Sequence, residues 1–114
     1  MNEQPPHSAS VDIDLLRREI PPRLRATFAS RYRGAILFGS RARGDASEES
    51  DIDLLVLLDD PVQLGPDGDA IIHALYPLQL DIGVPIHALP ARHNSYEAGT
   101  YALYRHAQEE GVLL

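Results

Sequence analysis

Gly39-Ser40 and Asp51-Ile52-Asp53 are the residues of this chain whose types and spacing could do chemistry. A glycine–serine pair closes one short apolar run, ten residues follow, and two carboxylates open the next run. Side chains alternate along a strand, so residues two apart share a face. Asp51 and Asp53 would therefore point together and repel unless something positive lies between them. A divalent cation meets that need, and hard Mg²⁺ takes oxygen ligands, typically one or two carboxylates with substrate phosphates. Gly39 has no side chain, so backbone N–H groups there can approach a phosphate closely. Ser40 adds a hydroxyl donor, and Arg41 and Arg43 could pair with phosphate oxygens. Each part has a plainer reading by itself: Asp-x-Asp at a strand start as a turn or cap, the two arginines as a solvated loop. The combination is what points to a metal–phosphate site.

The elements that must position these residues follow from hydrophobic spacing. Gly34 to Gly39 reads as a buried strand and Asp51 to Leu58 as a second, stopped by Asp59-Asp60-Pro61. Ser40 to Ser50 is a loop or short helix between them. Leu15, Leu16, Ile20, Leu24 and Phe28 recur near the helical period, but Pro21-Pro22 predicts a break into helices over 11–19 and 22–32. Val62 to Asp69 reads as a loop with Gly-Pro and Asp-Gly turn signals, and Ala70 to Leu78 as a short helix. Leu80 to His87 reads as a third strand, at an edge or ending early because Pro85 cannot donate to a ladder. Asn94 to Glu110 reads as the last helix, ended by Gly111, with Val112 to Leu114 docking on the core. Strands with helices between them predict an α/β (α+β) domain, a small mixed sheet flanked by helices.

Composition narrows the function classes. The chain has 114 residues, enough for one domain over residues 11–114 behind a floppy tail of residues 1–10, and too few for a second, acceptor-binding domain. With no Cys there can be no disulfide, thiolate metal site or cysteine nucleophile. No apolar run reaches the ~18 residues of a membrane span, and the N-terminus lacks the layout of a signal peptide, so a soluble, cytoplasmic protein is expected. The net charge of −7 conceals an asymmetry: residues 1–44 carry eight Arg against four acids, residues 45–114 two Arg against thirteen. An acidic chain is a poor general nucleic-acid binder, because phosphate contacts dominate that affinity. His7, His73, His87, His93 and His106 are scattered rather than clustered as in a histidine metal site; His87 could reach the site from the third strand. Glu48-Glu49 and Asp59-Asp60 read as solvated turns, and Tyr96, Tyr101 and Tyr104 as a mixture of packing and surface.

Gly39-Ser40-x10-Asp51-x-Asp53 resembles the signature of the DNA polymerase β superfamily of nucleotidyltransferases, spacing included. The fuller string GSRARGDASEESDIDLLV is similar to the minimal nucleotidyltransferases of prokaryotes. The resemblance implies a polymerase-β-like fold and a third carboxylate on a later strand, a place matched by Asp81, the only acid in the third apolar run. It further implies that Asp51, Asp53 and Asp81 bind two Mg²⁺ ions, that Gly39, Ser40, Arg41 and Arg43 hold the triphosphate, and that a nucleoside monophosphate passes from the NTP to a hydroxyl. These minimal enzymes are often encoded beside a HEPN-domain toxin, a ribonuclease whose tyrosine is AMPylated from ATP. The expected role is thus an antitoxin acting as a protein adenylyltransferase. A non-catalytic antitoxin that only covers its partner, or transfer to a small-molecule hydroxyl, are the alternatives.

Overall fold

The structure is a computed structural model and describes residues 11–44 and 50–114. The expectations for the tail, for His7 and for Glu48-Glu49 fall outside these residues. The chain opens with α1 (Ile13–Phe28), started by Asp12, whose carboxylate accepts from the Leu15 N–H at 2.9 Å. The expected break at Pro21-Pro22 is not there; one helix runs through both prolines. Leu16, Ile20, Leu24 and Phe28 keep a four-residue repeat across them, and all four are buried. An interior proline costs a helix about 3 kcal/mol, whereas burying an aliphatic or aromatic side chain contributes about 1.5–3 kcal/mol. The buried stripe carries the helix past its own breakers.

A 3₁₀ turn leads into β1 (Tyr32–Phe38), followed by the single turn α2 (Ser40–Arg43) and β2 (Ile52–Leu58). Next comes α3 (Leu64–Ile82), longer at both ends than the sequence predicts. Its first turn takes in Gly65-Pro66, where a proline removes no helical hydrogen bond. Its last turn takes in Leu80-Asp81-Ile82, which from the sequence reads as the start of the third strand. Ile82 continues the buried series Ile71, Leu75, Leu78, and Gly83 ends the helix at φ 74°, the left-handed conformation that glycine adopts without strain. The third strand therefore starts later, as β3 (Ile86–Arg92). The expected last helix is two, α4 (His93–Ala98) and α5 (Ala102–Glu110), parted by Gly99 at φ 65°. The apolar tail forms a fourth strand, β4 (Val112–Leu113).

The sheet order is β3-β2-β1-β4. β1 is antiparallel to β2 and to β4, and β2 is parallel to β3. This mixed sheet flanked by helices is the arrangement of a polymerase-β-like nucleotidyltransferase fold. β3 lies at an edge, as the third strand was expected to, and Pro90 rather than Pro85 is the proline within it. On one face Leu37, Ile52, Leu54, Val56 and Leu58 pack with α1 and α3 into the main core. On the other, Ile36, Leu55, Leu57 and Ala91 form a smaller core with Tyr96 of α4 and Ala107 of α5.

One partly buried ion pair ties the 3₁₀ turn before β1 to α3. Asp67, 7 % exposed, receives both Nη1 and Nη2 of Arg31, at 3.1 and 2.9 Å, and the Gln63 N–H at 2.9 Å. The Arg31 hydrogen bonds hold its carboxyl below the usual carboxylate range. The sign follows: its contribution is present above the unfolded-state pKa and is lost as pH falls through the lowered folded value. Asp67→Asn is expected to cost about 2 kcal/mol at neutral pH and to flatten the acid limb of the stability curve. Urea melts from neutral to acidic pH check both, and a variant that keeps the wild-type acid limb would remove the pair from this role.

Candidate active site

β1 and β2 are paired so that Phe38 lies opposite Asp53. That register sets Gly39, the first residue beyond β1, directly against the Asp53 carboxylate. A Cβ on Gly39 would lie 2.7 Å from Asp53 Oδ2, and the backbone there has φ 78° and ψ −157°. The sequence suggests that Gly39 is bare for a phosphate; in the structure its bareness makes room for Asp53. Ser40 begins α2, whose turn is closed by the Ala42 and Arg43 N–H groups donating to the Gly39 carbonyl at 3.1 Å.

Strand alternation puts Asp53 on the face of Leu55 and Leu57, the face with the smaller core, and Asp51 precedes it with the same parity. Burial pushes the Asp53 carboxyl above its ordinary value, with His87 acting to lower it and the charge of Asp51 adding to the rise. Two carboxylates are thus held close at the open end of β2, which is the donor chemistry a hard divalent cation accepts. Arg41 spans the connection between the strands: its Nε donates to the Ser50 carbonyl at 2.8 Å, and burial lowers its pKa against the opposing pull of Asp51. Arg43 Nη1 lies 3.6 Å from Glu110 Oε1 of α5.

Asp81 requires a correction. It is not on a strand beside the aspartate pair; it is an exposed residue in the last turn of α3. The residue beside Asp53 in the parallel ladder is His87 of β3, and its Nε2 lies 3.0 Å from Asp51 Oδ2. From the sequence, His87 could reach the site from the third strand but carries no role there. The signal that would have found it is Ile82-Gly83, a helix end followed by its glycine, which moves the start of the strand past Pro85. Among the described residues, no three acidic or histidine side chains are closed around one point as they stand.

A mixed sheet that brings a strand-end Gly-Ser against Asp-x-Asp defines a class of enzymes that move nucleotidyl groups. Residues 19–113 match the family described as nucleotidyltransferase domain, and the chain belongs to it. The chain is also 35 % identical over 98 residues to a Methanocaldococcus jannaschii protein named "Putative protein adenylyltransferase", the match covering 85 % of this chain and 92 % of that one. No helix among the described residues is long and apolar enough to cross a membrane.

Proposed function

We propose that this nucleotidyltransferase is a protein adenylyltransferase, transferring AMP from ATP to a hydroxyl of a partner protein, in the manner of an antitoxin silencing a HEPN-type toxin. The observation that carries the reading is the Phe38–Asp53 register, which brings Gly39-Ser40 and Asp51-x-Asp53 to one place. Asp51 and Asp53 hold the divalent cations, two Mg²⁺ by the resemblance, that accompany the triphosphate. Bound there, such ions would offset phosphate charge and would stabilise both the attacking and the leaving oxygen. Gly39 and Ser40 hold the β- and γ-phosphates through backbone N–H groups and the hydroxyl, and Arg41 or Arg43 offsets charge on the departing pyrophosphate. A bond forms between the acceptor oxygen and the α-phosphorus as the bond to the bridging α–β oxygen breaks. Pyrophosphate leaves, and the hydroxyl proton passes to water.

Two observations favour a protein acceptor. The relative just described bears that activity in its name. An apolar groove of about 470 Å³, lined by Leu64, Ile72, Leu89, Leu103 and Tyr104, opens along β3 on the same strand as His87. Leu64 and Ile72 are 73 % and 61 % exposed, and contiguous apolar surface of this kind marks interaction sites.

The test is to mix the chain with a HEPN-domain partner encoded beside it, a divalent cation and ATP labelled at either the α- or the γ-phosphate, then weigh the partner. We expect whole AMP units added to a hydroxyl, and α- but not γ-label in the product. An unmodified partner in the presence of native enzyme would sink the proposal.

A further inference from the structure

The third place in the site is where this chain departs from what its resemblance implies. A carboxylate is expected beside Asp53; the ladder puts an imidazole there. His87 shares the face of Leu89 and Ala91 on β3, as Asp53 shares that of Leu55 and Leu57 on β2, so the two side chains leave the sheet on the same side. Its Nε2 already touches Asp51. We propose that His87 is the third ligand of the metal centre in this chain, and that the set Asp51, Asp53 and His87 selects a first-row transition ion such as Mn²⁺ over Mg²⁺. This rests on Asp51 and Asp53 being the metal carboxylates.

The physical argument has three parts. First, the Asp51–His87 contact has little to do as a structural bond. The two side chains are 47 % and 62 % exposed, and ion pairs between exposed groups contribute at most about 1 kcal/mol. Second, the contact has the spacing of two donors able to turn onto one ion, and Asp53 stands beside His87 in the parallel ladder. Third, exchanging a carboxylate for an imidazole removes a hard, charged oxygen and supplies a neutral nitrogen. Mg²⁺ demands oxygen donors and relies on their charge. Transition ions accept imidazole, with affinities ordered by the metal rather than by charge alone. The exchange therefore weakens Mg²⁺ more than Mn²⁺. A histidine that only orients Asp51 by hydrogen bonding is the competing arrangement, and it leaves no nitrogen on the metal.

The experiment uses the full chain freed of metal. Mn²⁺ is titrated by electron paramagnetic resonance and Mg²⁺ by competition, for wild type, His87→Asp, His87→Ala and Asp53→Asn, with circular dichroism confirming the fold of each. Pulsed resonance of the Mn²⁺-loaded protein reads ¹⁴N coupling. We expect imidazole nitrogen coupling in wild type and none in either His87 variant. We also expect His87→Asp to shift the Mn²⁺-to-Mg²⁺ preference toward Mg²⁺ by about tenfold, the scale on which changes around a metal act. Bound Mn²⁺ without nitrogen coupling in wild type, or an unchanged preference in His87→Asp, overturns the proposal. Asp53→Asn separates the two levels: wild-type Mn²⁺ affinity in that variant overturns the carboxylate reading itself, whatever His87 does.

Discussion

Asp53→Asn is expected to lower AMP transfer by about 10³-fold or more while leaving the folded chain as stable as wild type, or more so. The two halves of this result come from one observation. Asp53 is held in a partly buried place beside a second carboxylate, and its carboxyl is pushed up, first by that burial and further by Asp51, against the lowering effect of His87. A carboxyl with a raised folded-state pKa binds its proton more tightly folded than unfolded. Stability therefore falls as pH rises through that range, and above it the charged side chain is a net cost to the fold. Asparagine keeps the shape, removes the charge and removes the cost. A carboxyl raised by burial beside a second carboxylate is the kind of group that active sites hold. Transfer of α-label measures the first half and thermal melting from acidic to neutral pH the second. Full transfer by the variant would take Asp53 out of the site. A clear drop in melting temperature at neutral pH would mean that its charge serves the fold. The same variant separates catalysis from mere covering: an antitoxin that works only by binding still neutralises its partner as Asp53→Asn, and a catalytic one does not.

The parts of the site that were legible in the sequence are those in which local pattern and tertiary structure agree. Gly34 to Gly39 and Asp51 to Leu58 are apolar runs with turn chemistry at their ends, and both are central strands. Central strands are buried on both faces, which makes the run continuous and its ends sharp. The Gly-Ser to Asp-x-Asp spacing then survives folding, because one antiparallel ladder joins the two strands. What could not be read locally is where burial overrides propensity. Pro21-Pro22 argues for a break that the Leu16–Ile20–Leu24–Phe28 stripe does not allow. Leu80 to Ile86 alternates as a strand would, yet Leu80 is 65 % exposed and Ile82 belongs to the buried stripe of α3. The end of α3 at Ile82-Gly83 has the largest consequence. Moving the strand start to Ile86 takes Asp81 off the sheet and brings His87 beside Asp53, so the identity of the third group depends on a helix end rather than on the motif. Val112-Leu113 was legible as an apolar tail but not as a strand, since only pairing with Ile36 and Leu37, and the Arg17 side chain donating to the Leu113 carbonyl, make it one.

Gly39→Ala is expected to cut transfer by roughly 10²-fold, the size that follows when a site-forming group is displaced, and to destabilise the chain by about 1–3 kcal/mol. Two separate causes contribute. The backbone at φ 78° and ψ −157° lies in a region that is essentially glycine's alone. The added methyl would also stand 2.7 Å from Asp53 Oδ2, closer than such atoms approach. That neighbour is the far end of a short side chain, so the carboxylate gives way before the strand does, and it gives way out of the site. A double-mutant cycle with Asp53→Ala separates the causes. In the Asp53→Ala background the backbone cost remains and the collision is gone, so Gly39→Ala should cost less there than in wild type, by a coupling of about 1 kcal/mol. Urea unfolding of the four proteins measures it. If Gly39→Ala costs the same in both backgrounds, the methyl does not displace the carboxylate, and the loss of transfer must come from the Gly39-Ser40 backbone alone. A coupling of the expected sign identifies the bare glycine as the feature that lets β1 end against the aspartate of β2. In that case the invariant of the site is not a phosphate loop followed by a metal pair, but one contact that builds both.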